Sequence, residues 1–366
     1  MNPRLAGLSG SLIREINSRK KPGDIDLGLG EPVMRPDPAP FTRVAEWIAA
    51  NGCPYSPNAG FMELREAIGR YAAVDAKDVV VTHGSQEAVY LAIRAAIDSA
   101  SDEVLLVEPA YPAYEKICQM EGIAHAVAPL DAASGFAPSA EAVLRAVTPK
   151  TRLVVLSSPT NPTGRVWSRA ELEKLAAGLG DIWVLSDEVY RELYYGEPPV
   201  SLAALHPRTL VAGGLSKSHA VTGLRLGWIL ASGQMTALIS RAHQLITTSA
   251  STFSQRVALE VLTSFDGVAQ TRANYAERRD ALLAALAEFG LEHVPPDGAF
   301  YCMLRIPGGR SSLETAFLLL ERERVATVPG VAFGASAEGW LRVTWVAEPS
   351  DVREGLSRIA RFFQSA

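Results

Sequence analysis

Six short apolar runs, at 78–82, 104–107, 124–127, 153–156, 183–186 and 209–212, alternate with stretches of helical periodicity such as 87–97 and 168–179. Brief β-branched runs without polar alternation are strands buried on both faces, and the helices between them serve as crossovers. This alternation constrains the fold more than any other feature of the chain. It predicts an α/β protein whose large domain has a mostly parallel sheet covered by helices on both faces. In open sheets of this kind ligands bind beyond the carboxyl ends of the strands, so the turns that follow the strands are where chemistry is expected.

The flanking segments have another texture. Residues 1–25 read as an arm with one short helix, because Leu8, Leu12, Ile13 and Ile16 keep a helical spacing. A short strand then runs into the glycine turn at 28–32, and helices are expected at 41–50 and from 62. Beyond 242 the chain reads as helical to 289, after which 298–304, 325–328 and 341–345, with a helix at 313–323, suggest a second, smaller α/β domain. The expected division is 1–45 as N-terminal arm and part of the small domain, 46–255 as the large domain, and 256–366 as the C-terminal small domain. A chain of 366 residues suits this plan better than a single core.

Composition narrows the partners. With 35 basic and 40 acidic residues and no long run of one sign, neither nucleic acid nor an anionic membrane is an expected partner. Cys53, Cys118 and Cys302 are widely spaced, which points to no metal site and no disulfide framework. No signal-peptide core or membrane-length apolar run is present, so a cytoplasmic protein is expected.

Several turns carry candidate chemistry. Lys217 lies between two apolar segments, 209–212 and 226–230, with Gly213, Gly214 and Gly223 nearby. A lysine withdrawn from water has a lowered pKa and an amine able to act as nucleophile or base, whereas a surface lysine would simply snorkel. Arg225 offers a fixed positive charge suited to a phosphate or to a salt bridge. Gly84-Ser85-Gln86 follows a strand and opens a helix, a place for an anion or for a hydroxyl cap. Tyr111 could stack on a flat ligand or pack on the sheet edge. The loop 158–164, stiffened by two prolines and a glycine, holds Asn161, itself also a turn former. Asp187 ends an apolar strand and should therefore find a cationic partner, unless it caps a helix; Tyr190 would lie one helical turn on. Gly30 permits close backbone approach to a ligand, or merely turns the chain.

The segments SSPTNPTG, SDEVY and LSKSHAVTGLRLGW, in this order and spacing, resemble the fold-type I, pyridoxal-phosphate-dependent class I/II aminotransferases. LGLGEP, YSPNAGFMELREAI, GSQ, EPAYPAY, PDGAFY, VPGVAFG and LRVTW extend the resemblance over essentially the whole chain. The resemblance implies a Schiff base between Lys217 and the cofactor aldehyde, with Asp187 paired to the pyridine nitrogen. It implies that Asn161 and Tyr190 hold the phenolic oxygen, that Tyr111 stacks on the ring, and that Arg225 with Gly84, Ser85 and Gln86 binds the phosphate. Tyr55 matches the tyrosine that reaches the neighbouring subunit's phosphate, which implies a homodimer with shared sites. Arg342, with Asn161 and the backbone at Gly30, matches the clamp for the substrate α-carboxylate.

Two details depart from the pattern. Gly214 stands where many relatives carry a phosphate-binding hydroxyl, for which Ser216 is the candidate substitute. No arginine or lysine matches a second clamp for a dicarboxylate side chain. The implied activity is amino-group transfer between an α-amino acid and a 2-oxo acid, with pyridoxal 5'-phosphate as electron sink and Lys217 moving the Cα proton. The alternatives are another reaction of the same cofactor, such as β-elimination, decarboxylation or racemisation, or a non-catalytic ligand-binding module. His219 is expected to be a packed or solvated histidine rather than one that tunes the site.

Overall fold

The computed structural model describes residues 2–264 and 267–365. In chain order its strands are β1 (Ile25–Asp26), β2 (Val79–Thr82), β3 (Glu103–Glu108), β4 (Ala124–Pro129), β5 (Thr151–Ser157), β6 (Trp183–Asp187) and β7 (Thr209–Gly214). They continue with β8 (Gly227–Leu230), β9 (His293–Val294), β10 (Tyr301–Arg305), β11 (Val325–Ala326), β12 (Val328–Pro329) and β13 (Trp340–Thr344). Seven of them form the large sheet, in the order β2-β8-β7-β6-β5-β3-β4. Only β8 runs against the rest: it pairs antiparallel with both β2 and β7, while the other pairs are parallel.

Both faces of this sheet are buried, as the continuous apolar runs require. Along β3, Val104 and Leu106 pack into one core while Leu105 and Val107 pack into another. β5 divides in the same way, Leu153 and Val155 to one side and Val154 and Leu156 to the other. Helix Gly84–Ala96 fills the first face with Val89, Leu91 and Ile93. Helix Arg169–Leu179 covers the second with Leu172 and Leu175. Because strands β2, β3, β5, β6 and β7 all end at one edge and β8 starts from it, the segments 83–86, 109–112, 158–164, 187–190 and 215–226 converge there.

A smaller antiparallel sheet, β12-β13-β10-β9, packs against helices Val268–Glu288 and Pro349–Ser365. The N-terminal strand β1 pairs in parallel with β11, so residues 25–26 are joined to the C-terminal half of the chain.

Several boundaries differ from the sequence reading. The arm has two helices, Pro3–Ala6 and Leu12–Arg19, because Ser11 caps the second through Arg14 N, and Leu8 falls between them. The helix expected at 87–97 starts at Gly84, where φ is +74°, a conformation glycine accepts readily. The stretch from 242 to 289 is broken into Gln234–Thr247, Thr252–Ser264 and Val268–Glu288. Among the described residues no helix is long and apolar enough to cross a membrane.

Candidate active site

Lys217 sits in the turn that leaves β7, between buried Ser216 and Ser218. Its Nζ donates to Gly30 O at 2.7 Å and lies 5.9 Å from the ring centre of Tyr190 and 6.0 Å from that of Phe300. Burial lowers the amine's pKa to about 8; Glu31 pulls the other way, while Arg342 and Arg225 reinforce the fall. Lys217 is thus a withdrawn amine and not a snorkelling one.

Asp187, the last residue of β6, is flanked in register by Ser157 and Ala212. Its carboxylate is buried, which raises its pKa. The cationic partner expected for it is absent among the described residues. Oδ2 instead accepts from the Tyr114 hydroxyl at 2.7 Å and Oδ1 from Val189 N at 3.3 Å. The nearby amine is drawn to the Gly30 carbonyl, which leaves a phenol to satisfy the carboxylate. The segment after Asp187 is a non-helical turn, so Asp187 caps no helix and Tyr190 is not one helical turn on. Tyr190 packs into the core of the smaller sheet, with its hydroxyl 2.6 Å from that of Tyr301.

The loop after β5 is tied to its neighbours: Ser158 N donates to Asp187 O at 3.1 Å and Gly164 N to Thr160 O at 2.8 Å. A side chain at Gly164 would lie 2.6 Å from Tyr301 O, so the loop cannot seat there without glycine. It presents Asn161, whose Oδ1 accepts from Arg342 Nη1 at 2.9 Å. Arg342 comes from β13 and is 2% exposed. Its Nη2 donates to Gly28 O at 2.7 Å, and its guanidinium stands 4.4 Å over the ring of Tyr301. Arg342 Nε has no acceptor, and no carboxylate is bonded to the guanidinium among the described residues. Burial lowers its pKa.

At the other end of the site, a Cβ on Gly84 would lie 2.9 Å from Arg225 Nη2. A side chain on Gly227 would overlap Ser85 N, so that glycine lets the helix start dock on β8. Arg225 holds a left-handed backbone (φ +49°) and donates from Nη1 to Thr222 O at 3.1 Å. The helix start is capped by Glu87, which accepts from His83 N at 2.6 Å, and not by the Ser85 hydroxyl. The Arg225 guanidinium thus stands beside Gly84, at the positive end of this helix. Tyr111 donates to Gln86 Oε1 at 3.2 Å and meets Tyr114 edge to face at 5.7 Å.

Gly214 is buried, and a Cβ there would make ordinary contacts, 3.4 Å from Leu226 O. Ser216, two residues on, makes no side-chain hydrogen bond among the described residues. His219 is a packed histidine: burial lowers its pKa to about 4, and Nδ1 meets the Ser218 hydroxyl at 2.8 Å. Tyr55 stands apart from the cluster, 86% exposed. Two site neighbours escaped the sequence reading, Tyr114 and Tyr301, although both lie inside segments that carried the resemblance. No feature of spacing distinguishes Tyr114 from Tyr111, or Tyr301 from Phe300.

The arrangement has an evident chemical demand. A buried carboxylate lacks a cation, a buried guanidinium lacks an anion, and a buried amine has lost much of its proton affinity. Such groups are costly unless a ligand completes them. A ring with a protonated nitrogen suits Asp187, a carboxylate suits Arg342, and a phosphate suits the Gly84–Arg225 cradle. The residues present therefore fit pyridoxal 5'-phosphate together with an amino acid. Among the described residues no group of His, Cys, Asp or Glu could hold a metal ion.

Comparison with known proteins agrees in kind. The family model of aminotransferase class I and II matches residues 42–359. The probable N-acetyl-LL-diaminopimelate aminotransferase of Bacillus subtilis is 36% identical, covering 99% of this chain and 95% of its own. The arginine–pyruvate transaminase of Pseudomonas aeruginosa is 35% identical over 91% of this chain and 88% of its own. Among solved structures, aspartate aminotransferase from Thermus thermophilus with maleate superposes with a TM-score of 0.92 at 31% identity, covering 99% of both chains.

Proposed function

The chain belongs to the class I and II aminotransferases, and from that premise we propose that it transfers amino groups with pyridoxal 5'-phosphate seated at the carboxyl edge of the large sheet. The observation that carries this reading is the set of three incomplete buried groups, Lys217, Asp187 and Arg342, around one point. Lys217 would hold the cofactor covalently through its amine, and Asp187 would keep a proton on the ring nitrogen. Tyr190 and Asn161 would face the phenolic oxygen and Tyr111 one ring face. Arg225, Ser216 and the helix start at Gly84, Ser85 and Gln86 would hold the phosphate. When bound, pyridoxal phosphate supplies an electron sink for the charge left on a substrate carbon that loses a proton.

The chain's own residues do the rest. With a pKa near 8, roughly a tenth of Lys217 amines are neutral at pH 7, orders of magnitude more than for an ordinary lysine. The neutral Nζ of Lys217 would serve as the base that takes the proton from substrate Cα and, once charged, as the acid that gives it back. Arg342 binds the α-carboxylate in a bidentate pair, and Asn161 Oδ1 keeps the guanidinium oriented for it. Asp187, kept from water, makes a stronger pair with a ring cation than an exposed carboxylate could.

A second copy of the chain completes the assembly in this reading. Tyr55, in the loop before helix Met62–Ala72, and the exposed Leu245 (82%) and Ile246, in the last turn of helix Gln234–Thr247, belong to segments tied by Asn58 Nδ2 to Thr248 O at 2.7 Å. We assign this face to a homodimer in which Tyr55 reaches the partner's phosphate. The small domain would comprise 1–45 with 256–366. Three unpaired thiols suit a reducing, cytoplasmic setting. The test is the visible spectrum of the purified protein with added cofactor, beside that of Lys217→Ala, followed by product analysis. Oxo acid formed one for one with consumed amino acid, without ammonia, supports the reading. Absence of a lysine-dependent absorption band overturns it.

A further inference from the structure

Tyr301 has no part in the scheme above, yet it touches most of its members. It opens β10, paired in register with Thr344, while Arg342 is paired with Met303 two residues along. Residues 301 and 342 therefore stand diagonally on one face of the sheet, which brings the guanidinium of Arg342 4.4 Å over the Tyr301 ring. The Tyr301 hydroxyl lies 2.6 Å from that of Tyr190, and both residues are buried. A Cβ on Gly30 would meet the same hydroxyl at 3.0 Å, so Tyr301 also supports the strap whose carbonyl holds Lys217.

We propose that Tyr301 is a positioning residue that carries the charge state of the carboxylate clamp to the phenol of Tyr190. This rests on the reading that Tyr190 faces the cofactor's phenolic oxygen. The 2.6 Å pair lets either hydroxyl donate; in the relay it is Tyr301 that donates, which leaves the Tyr190 proton free to point at the cofactor. A guanidinium on the ring face strengthens Tyr301 as a donor, and successive hydrogen bonds polarise one another. A substrate carboxylate on Arg342 cancels that charge. Tyr301 then donates less strongly, Tyr190 follows, and the cofactor oxygen regains basicity. The visible band of the loaded enzyme would then titrate at a higher pH when a carboxylate sits on Arg342 than when none does. The other charged or titratable groups around the pair are Asp187 and Lys217 beside Tyr190, Tyr111 opposite, and Tyr275 from the helix Val268–Glu288.

The experiment is a pH titration of the visible band of the holoenzyme, for wild type, Tyr301→Phe and Tyr190→Phe, with and without a saturating non-reacting carboxylate such as maleate or 3-phenylpropionate. In Tyr301→Phe the midpoint should rise by about half to one pH unit, the equivalent of one neutral hydrogen bond. The carboxylate should itself raise the wild-type midpoint, and in Tyr301→Phe that rise should shrink by at least half. A wild-type midpoint with a full carboxylate shift in Tyr301→Phe, alongside a moved midpoint in Tyr190→Phe, overturns the relay and leaves the functional reading standing. An unmoved midpoint in Tyr190→Phe removes the reading of Tyr190 and the relay with it. Tyr301→Phe deletes one oxygen and keeps the ring, so a change in the titration at an unchanged thermal midpoint reports the hydroxyl and not the packing.

Discussion

Tyr114→Phe isolates the support of Asp187. The substitution leaves the ring in its edge-to-face contact with Tyr111 and removes only the hydroxyl that donates to Asp187 Oδ2 at 2.7 Å. A hydrogen bond to an ionised group contributes about 1.5–3 kcal/mol, and a neutral one about 1 kcal/mol. Burial already raises the Asp187 pKa above its unfolded value, so the folded state binds this proton more tightly than the unfolded one. Its contribution to stability is therefore full below the unfolded pKa and is lost as pH rises through the folded pKa. Losing the Tyr114 bond, which favours the ionised form, raises that pKa further. The cost of the substitution is thus larger above the folded pKa, where the carboxylate is ionised, than below it. With about 2.1 cal/mol/K of unfolding entropy per residue over 366 residues, 1.5–3 kcal/mol lowers Tm by roughly 2–4 °C. Scanning calorimetry of the cofactor-free wild type and variant over a pH series measures the cost as the carboxylate ionises. A loss of the same size at every pH, or none at any, would refute the argument that this phenol holds an ionised carboxylate.

Four further outcomes are expected. Capture of added pyridoxal phosphate by the cofactor-free protein, trapped with borohydride and read by mass spectrometry at Lys217, should accelerate as pH rises from 6.5 and level off above about 8, because only the neutral amine reacts; a rate still climbing at pH 10 would mean an ordinary lysine. Arg342→Lys should raise KM for every amino and oxo acid by about 10–100-fold, the range of a lost bidentate pair, with a smaller change in kcat; substrate-dependent effects would count against a common carboxylate clamp. Gly84→Ala places a side chain at φ +74° and 2.9 Å from Arg225 Nη2, so it should cost about 1–2 kcal/mol and weaken cofactor retention in equilibrium dialysis. Leu245→Asp, on the face assigned to the second copy, should shift the protein toward monomer in sedimentation velocity, and unchanged sedimentation would place the interface elsewhere.

Much of the architecture was legible because it is periodic. Strands β3, β5 and β6 announce themselves as apolar runs, since a strand buried on both faces leaves no place for polar alternation. That Gly84-Ser85-Gln86 leads into a helix was legible, but its first helical residue was not, since helical periodicity begins only at Glu87 and glycine disfavours helices; there the docking of Ser85 N against Gly227 decides the boundary. The partner of Asp187 illustrates the same limit at the site. Burial of a carboxylate predicts that something must satisfy it, and a cation was the reasonable expectation. Within the chain itself it is the packing of helix Ala113–Glu121 against the sheet that delivers a donor, the Tyr114 hydroxyl.

The sequence by itself determined which residue types end up at one edge of a parallel sheet: a lysine, a carboxylate, an amide on a stiff loop and a glycine-led helix start. That follows from strand direction alone, because parallel strands deliver their following turns to the same side. Tertiary structure alone decided how those groups are completed: Lys217 on the Gly30 carbonyl, Asn161 on Arg342, Tyr114 on Asp187 and Tyr301 on Tyr190. Each of these contacts joins segments between 73 and 187 residues apart, and their distances depend on how the two sheets pack on each other and how helix Ala113–Glu121 packs on the larger one, which no local pattern encodes.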